Sequence, residues 1–128
     1  MAQSLTLLLV DDEVMITDML HDALEDAGFF VVTANNGDEA TAILDDETRP
    51  VGGLITDINM GDTADGWSVA RRARELNPEI PVVYMTGGVA HEWAVNGVPK
   101  SLLIGKPFAT AQIITAIAGL LNAAADPA

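Results

Sequence analysis

Short apolar runs alternate with longer amphipathic segments along most of the chain. Residues 5–10 form a nearly continuous apolar run, which is typical of a strand buried on both faces of a sheet. Residues 14–27 repeat apolar side chains, Val14 and Met19 among them, at helical spacing, and Gly28 follows where a C-terminal cap is expected. The same patterns predict further strands at residues 29–34, 53–56, 81–85 and 102–104, and further helices at residues 36–47, 66–76 and 110–123.

The segment between the fourth and fifth predicted strands is the least regular. Residues 87–100 contain paired glycines and a proline, which limit any helix there to a short one at residues 91–95. Strand and helix nevertheless alternate five times, which predicts a parallel sheet with helices on both faces. Since crossovers between parallel strands are right-handed, a doubly wound α/β fold is the leading topology.

Composition narrows the class of protein further. A chain of 128 residues with 49% hydrophobic and 20% charged residues is typical of one globular domain, predicted as residues 1–128 with a core at about 5–122. The net charge of -13, from 19 acidic against 6 basic residues, argues against nucleic acid or an anionic membrane as a partner. The absence of cysteine excludes disulfides and thiolate metal sites. With neither a signal-peptide pattern nor a long apolar span, a cytoplasmic protein is expected.

Polar residues follow four of the five predicted strands. Asp11 and Asp12 come after the first strand, Asp57 after the third, Thr86 after the fourth, and Lys106 just beyond the fifth. In a doubly wound sheet the ligand site lies outside the carboxyl ends of the strands. We therefore expect these five side chains to meet at one edge of the sheet.

Three carboxylates in one place repel one another, and the single positive charge of Lys106 does not balance them. A hard divalent cation such as Mg²⁺ would, and it prefers oxygen ligands. A metal beside a lysine, a hydroxyl and free backbone N–H groups is suited to phosphoryl transfer, and a carboxylate can itself accept the phosphoryl group. Each signal has a simpler explanation when taken alone. Asp11-Asp12-Glu13 fits an acidic cap at the N-terminus of a helix, and Thr86–Gly87 or Lys106–Pro107 fits a turn, so the combined placement carries the argument.

In their order and spacing these residues resemble the receiver domain of two-component response regulators, the CheY-like family. The resemblance covers residues 5–121 and implies a flavodoxin-like, five-stranded parallel sheet in the order 2-1-3-4-5. The motifs that carry it are Leu9-Val10-Asp11-Asp12-Glu13, Ile55-Thr56-Asp57-Ile58-Asn59-Met60, Asp65-Gly66, Pro81-Val82-Val83-Tyr84-Met85-Thr86-Gly87 and Lys106-Pro107-Phe108.

The resemblance implies a bacterial phosphorelay protein rather than an enzyme with an external substrate. Asp57 would accept a phosphoryl group from a phosphohistidine on a sensor histidine kinase or a histidine phosphotransfer protein. Asp12 and Asp57 would bind Mg²⁺ directly, together with the backbone carbonyl of Asn59, and Asp11 would act mainly through water. Phosphorylation would then change the binding of a downstream protein.

Other positions of the motifs would hold the phosphoryl group. Lys106 would pair with Asp57 or with its phosphoryl group, Thr86 would bring its hydroxyl to a phosphoryl oxygen, and the N–H of Gly87 would donate another bond. A cis peptide is expected before Pro107. Water would remove the phosphoryl group slowly, along a path flanked by positions Asn59 and Gly88.

Three features depart from the family pattern. Leu103 stands where many receivers have tyrosine or phenylalanine, so the usual threonine–aromatic switch cannot operate unchanged. The stretch from Asp57 to Gly66 is one residue longer than usual and contains Gly61–Asp62. The third departure is the irregular segment before the fifth strand, where the family presents its main output surface.

The residues leave other functions open. A small Mg²⁺-dependent phosphohydrolase would also use an aspartyl-phosphate, but it usually needs a second carboxylate where this chain has Asn59, and a cap domain besides. A receiver that binds partners without phosphorylation would not need the five site residues. An FMN-binding domain of this architecture would need a Ser/Thr-rich loop after the first strand, which is missing. The sequence fits both a stand-alone regulator and a receiver excised from a hybrid kinase or a longer regulator.

Overall fold

One parallel sheet organises the chain. The structure, a computed structural model, describes residues 5–88 and 92–125. The strands are β1 (Thr6–Val10), β2 (Phe30–Ala34), β3 (Gly53–Asp57), β4 (Val82–Thr86) and β5 (Leu102–Gly105). Their order is β2-β1-β3-β4-β5 and every neighbouring pair is parallel, which confirms the predicted topology.

Helices follow the strands in alternation and cover both faces of the sheet. They are α1 (Val14–Asp26), α2 (Gly37–Asp45), α3 (Gly66–Leu76), α4 (Trp93–Asn96) and α5 (Thr110–Ala125). None of the helices in the described ranges combines the length and the apolar character needed to cross a membrane.

Three strands, β3, β4 and β5, run one residue beyond their predicted ends. β3 includes Asp57, which pairs with Met85, and β4 includes Thr86, which pairs with Gly105. The backbone ladder therefore continues through residues whose polar side chains suggested that the strands had stopped. As a result, Asp57 and Thr86 are held by the sheet itself rather than by the loops that follow.

The second helix is shorter than its sequence pattern predicts. It starts at Gly37, after Asn36 caps its first turn with a side-chain oxygen. It ends at Asp45, two residues before the predicted end, because the backbone of Asp46 is extended. The Asp46 carboxylate accepts hydrogen bonds from the backbone N–H and the hydroxyl of Thr48, so a local turn replaces the last helical residues.

The short helix before β5 lies close to its predicted place. Of the predicted residues 91–95, residue 91 lies outside the described residues, and α4 begins at Trp93. It ends at Asn96, and a Cβ at the next residue, Gly97, would lie 2.4 Å from Cδ1 of Trp93, so the indole covers this backbone closely. The indole N–H of Trp93 also donates to Oγ of Ser101 at 2.9 Å, which ties α4 to the start of β5.

Two hydrophobic clusters lie on opposite faces of the sheet. Because side chains alternate along a strand, Leu8 and Tyr84 pack toward α2 and α3, whereas Leu7 and Met85 pack toward α1 and α5. Complete burial of such an apolar side chain stabilises the fold by about 1.5–3 kcal/mol. The central strands β1, β3 and β4 are buried almost throughout, so the positions of their carboxyl ends are rigidly defined.

The buried face of α1 is narrower than its apolar pattern predicts. Leu20 and Leu24 are fully buried, but Val14 is 59% exposed and Met19 is 44% exposed. Thr17 is buried one turn before Leu20, and its hydroxyl donates to the carbonyl of Val14 at 3.0 Å. That hydrogen bond satisfies the polar group and allows threonine to take a core position.

Candidate functional site

The sheet brings the five predicted polar residues to one edge. Asp11 directly follows β1 and its N–H donates to the carbonyl of residue 34 in β2. Asp57 ends β3 and Thr86 ends β4. Lys106 directly follows β5, and its N–H donates to the Thr86 carbonyl at 2.7 Å. The predicted cis peptide between Lys106 and Pro107 is present.

Three carboxylates form the centre of this edge. One oxygen each from Asp11, Asp12 and Asp57 lies within 4.8 Å of the others. Asp11 and Asp57 are buried, whereas Asp12 is exposed and leaves an approach from solvent. Clustered carboxylate oxygens of this kind suit a hard divalent cation, so the residues fit the Mg²⁺ site that the sequence predicts. Asn59 lies on the exposed loop two residues beyond Asp57.

Close backbone contact fixes the position of Asp57. A Cβ at Gly66 would lie 2.2 Å from the Asp57 carbonyl oxygen, so only glycine allows this approach. The N–H of Gly66 donates to the carbonyl of Ile58 at 2.8 Å, and Asp65 caps α3 by accepting from the backbone N–H of residue 68. The start of α3 is therefore packed directly against the residue that precedes the long loop. This explains why Asp65–Gly66 belongs to the pattern.

The long β3–α3 loop is anchored on α2. The Thr63 hydroxyl accepts from the N–H of Gly37 and donates to the carbonyl of Met60. The N–H of Ala64 donates to the carboxylate of Asp38 at 3.1 Å. Gly61 has a φ of 68°, in the left-handed region that favours glycine, which accounts for the Gly61–Asp62 departure. These contacts were not predicted, although the acidic residue after Asn36–Gly37 was already visible in the sequence.

Burial and charge raise the pKa values of the two buried carboxyls. Burial first, and then the charge of Asp11, raise the pKa of Asp57 to about 6, against the opposing effects of Lys106 and of the Ile58 N–H. Burial also raises the pKa of Asp11. For Lys106, burial lowers the pKa, but the hydrogen bond and charge of Asp11 and the charge of Asp57 outweigh it and raise the pKa. Lys106 therefore stays protonated, and its charge offsets part of the negative charge of the neighbouring carboxylates.

Three carboxylates surround the ammonium group of Lys106. Its Nζ lies 2.9 Å from Oδ2 of Asp11, 3.1 Å from Oε1 of Glu13 and 3.4 Å from Oδ2 of Asp57. The pairing with Asp57 is present, but Asp11 and Glu13 are nearer. The contact with Glu13 was not predicted. Its only sequence signal is a third acid directly after Asp11 and Asp12.

A buried hydroxyl and two glycines lie at the end of β4. The Thr86 hydroxyl is buried and accepts a hydrogen bond from the N–H of Gly88 at 3.2 Å. A Cβ at Gly87 or Gly88 would have no neighbour within 4 Å. A side chain at either position would therefore meet no other part of the described structure.

An aromatic side chain lies on β4 rather than on β5. Leu103, which pairs with Tyr84, is partly buried against the α2–α3 cluster. Tyr84 is fully buried, and its ring centroid lies 4.7 Å from that of Trp67. Its hydroxyl accepts from the N–H of Val98 at 3.1 Å. The Val98 carbonyl in turn accepts from the hydroxyl of Ser101.

Comparison with known proteins agrees with this geometry. The family model "Response regulator receiver domain" matches residues 7–118. The response regulator receiver protein CpdR of Brucella abortus (strain 2308) is 33% identical over 120 residues, which are 92% of this chain and 98% of CpdR. The transcriptional regulatory protein TrcR of Mycobacterium tuberculosis is 32% identical over 117 residues, but the chain spans only 44% of its length.

A solved structure has a higher sequence identity to this chain than these two relatives have. The crystal structure of a response regulator receiver protein from Sinorhizobium medicae WSM419 superposes with a TM-score of 0.92 at 44% identity, covering 95% of this chain and 98% of that one. The chain belongs to the response regulator receiver domain family.

Proposed function

We propose that this protein accepts a phosphoryl group on Asp57 from a phosphohistidine, and that phosphorylation changes its binding of a protein partner. The donor would be a sensor histidine kinase or a histidine phosphotransfer protein. The observation that carries the proposal is one buried carboxylate, Asp57, within 4.8 Å of two further carboxylates and 3.4 Å from Lys106. We extend the proposal to a cytoplasmic location and to residues 1–128 as one receiver domain.

Asp12, Asp57, the backbone carbonyl of Asn59 and, through water, Asp11 would hold Mg²⁺. When bound, the ion supplies positive charge to phosphoryl oxygens and so reduces repulsion between donor and acceptor. The exposed carboxylate of Asp12 and the buried ones behind it are the donor set that such an ion requires.

Asp57 itself acts as the nucleophile. With a pKa of about 6, the carboxylate form of Asp57 exceeds the acid form by roughly ten to one at pH 7. The Ile58 N–H donates to Oδ1 at 2.8 Å, and Oδ2 faces Lys106. A carboxylate oxygen forms the new O–P bond while the N–P bond of the phosphohistidine breaks, and the imidazole leaves with the electron pair and takes up a proton.

Lys106, Thr86 and Gly87 would stabilise the product. The ammonium group, the threonine hydroxyl and the Gly87 N–H are donors around the three phosphoryl oxygens. The Thr86 hydroxyl accepts from the Gly88 N–H and would donate its own proton to a phosphoryl oxygen. Hydrolysis by water, past Asn59 and Gly88, resets the protein, so the only turnover is its own slow dephosphorylation.

The test is phosphorylation in vitro. Incubation with Mg²⁺ and acetyl phosphate should add one phosphoryl mass that hydroxylamine removes, and a chelator should prevent the addition. Asp57→Asn should abolish it, whereas Asp26→Asn, which removes an exposed charge at the end of α1, should not. If Asp57→Asn accepts the group at the wild-type rate, Asp57 is not the acceptor. A transfer profile against purified histidine kinases then identifies the donor, and rapid turnover of an unrelated phosphomonoester would favour a phosphohydrolase instead.

A further inference from the structure

Glu13 occupies the N-cap position of α1 without acting as a side-chain cap. Its backbone is extended, and its carbonyl accepts from the N–H groups of Ile16 and Thr17, but its carboxylate makes no capping hydrogen bond. The carboxylate instead reaches across the site to Nζ of Lys106 at 3.1 Å. Taken alone, an acid at this position fits a helix cap, but this carboxylate contacts the lysine instead.

Glu13 also contacts Asp11, which pairs with the same lysine. Its backbone N–H donates to Oδ1 of Asp11 at 2.9 Å, while Oδ2 of Asp11 accepts from Lys106 at 2.9 Å. The two residues thus hold the lysine from the same side. Asp57 is the most distant of its three carboxylate partners.

We propose that Glu13 is a positioning residue that competes with the phosphoryl group of Asp57 for Lys106. An ammonium group has three N–H donors, and three carboxylates already surround this one. Its hydrogen bonds go to Asp11 and Glu13, so a bond to a phosphoryl oxygen on Asp57 would draw Nζ away from one of these two nearer partners. This inference rests on the proposed phosphorylation of Asp57 and concerns its regulation.

Exposure decides which partner is released. The Asp11 side chain has no exposure, so without the lysine its charge would be buried and unpaired, which is strongly unfavourable. The Glu13 side chain is 60% exposed, so water can replace the lysine there. Glu13 is the partner that Lys106 leaves, and it favours the unphosphorylated arrangement. Exposed ion pairs of this kind change an equilibrium by about two- to fivefold.

Two substitutions separate direct contact from general charge. Glu13→Gln keeps the length of the side chain and removes its charge, whereas Glu13→Asp keeps the charge and shortens the reach. Asp26→Asn removes one charge at the far end of α1, about 18 Å along the helix at 1.5 Å per residue. The probe is beryllofluoride with Mg²⁺, a phosphoryl analogue, with its affinity measured from ¹H–¹⁵N spectra. Mg²⁺ affinity is measured separately, without beryllofluoride.

If Glu13 competes by contact, Glu13→Gln and Glu13→Asp should both bind beryllofluoride about two- to fivefold more tightly, and Asp26→Asn should match the wild type. The Mg²⁺ affinity of Glu13→Asp should not change. Tighter binding by Glu13→Gln alone would assign the effect to the field of the charge and overturn the proposal. Weaker binding by both variants would overturn it as well, because Glu13 would then assist the phosphorylated state.

A second measurement is independent of phosphorylation. In the metal-free protein, the ammonium signal of Lys106, assigned by its loss in Lys106→Arg, should exchange its protons with water faster in both Glu13 variants than in the wild type. An unchanged signal would mean that the ion pair is not formed in solution, and the inference would fail. If the wild type shows the pair but binds no beryllofluoride with Mg²⁺, the proposed function fails, and with it the role of Glu13 in regulating it.

Discussion

Replacement of Asp57 by asparagine should make the metal-free protein more stable at neutral pH. Burial and the charge of Asp11 raise the pKa of Asp57 from the ordinary 3.8 to about 6 in the folded protein. A carboxyl whose pKa is higher in the folded state destabilises that state once it ionises. A difference of about two pKa units at 1.36 kcal/mol per unit corresponds to roughly 3 kcal/mol in the free energy of unfolding.

The gain should depend on pH in a defined direction. Below a pH of about 4 the Asp57 carboxyl is protonated in both states, and wild type and Asp57→Asn should be equally stable. As the pH rises from about 4 through about 6, the folded wild type retains a proton that the unfolded chain has lost. Its free energy of unfolding then falls relative to the variant, and the full difference is reached above a pH of about 7.

Urea unfolding followed by circular dichroism, with a chelator present and the pH varied, measures this difference. Asp26→Asn is the matched control, since it removes one exposed carboxylate far from the site and should not follow the same curve. Saturating Mg²⁺ should reduce the difference in stability between wild type and Asp57→Asn. A ligand at about 100 times its dissociation constant stabilises the folded state by roughly 2.7 kcal/mol, and the variant should gain less because asparagine lacks the charge proposed to bind the ion. Equal stabilities of wild type and Asp57→Asn at all pH values, or a gain of the same size at low and neutral pH, would refute the reasoning.

Two further substitutions test the framework around the site, and a third serves as a control. Gly66→Ala places a Cβ 2.2 Å from the Asp57 carbonyl oxygen, so overpacking and the lost hydrogen bond should lower the free energy of unfolding by roughly 2–4 kcal/mol and slow phosphorylation. Gly119→Ala in α5, where a Cβ meets nothing within 4 Å, should stabilise by about 0.5–1 kcal/mol, and a loss at both positions would contradict the contact argument. Tyr84→Phe leaves the buried Val98 N–H without its 3.1 Å acceptor and should lower stability by about 1–3 kcal/mol in urea unfolding; no loss would mean that another acceptor replaces the hydroxyl.

The topology followed from the sequence because it depends on short-range patterns. Apolar runs and helical spacing located every strand and helix to within a few residues, and right-handed crossovers limited the ways to connect them. The meeting of Asp11, Asp57, Thr86 and Lys106 followed in turn, since the carboxyl ends of parallel strands share one edge. The exact ends did not follow, because backbone pairing continues regardless of side-chain polarity. The buried face of α1 did not follow either, since Thr17 becomes acceptable in the core only through its hydrogen bond to the preceding turn.

Side-chain contacts that do not follow from the placement of the strand ends could not be predicted from sequence patterns. Glu13 and Lys106 are 93 positions apart, and nothing in the spacing of either distinguishes a site residue from a helix cap. The anchoring of Thr63 and Ala64 on α2 is similar, because it depends on the path of a loop that is one residue longer than usual. Such contacts are set by side-chain reach in the folded protein.

Leu103, which departs from the family pattern, pairs with an aromatic residue, Tyr84, on the neighbouring strand. Leucine has no ring to rotate between two positions, so residue 103 lacks the aromatic side chain that a threonine–aromatic switch requires. Tyr84 lies on the same face of β4 as Thr86, two residues away, but its ring is fully buried and its hydroxyl holds the N–H of Val98. Rotation of that ring would break a buried hydrogen bond, so Tyr84 does not replace the aromatic side chain that is absent at residue 103. Thr86 ends the strand, β4, that is bonded through Tyr84 to Val98 in the segment between α4 and β5. If the proposed phosphorylation displaces Thr86, this hydrogen bond would carry the displacement to that segment.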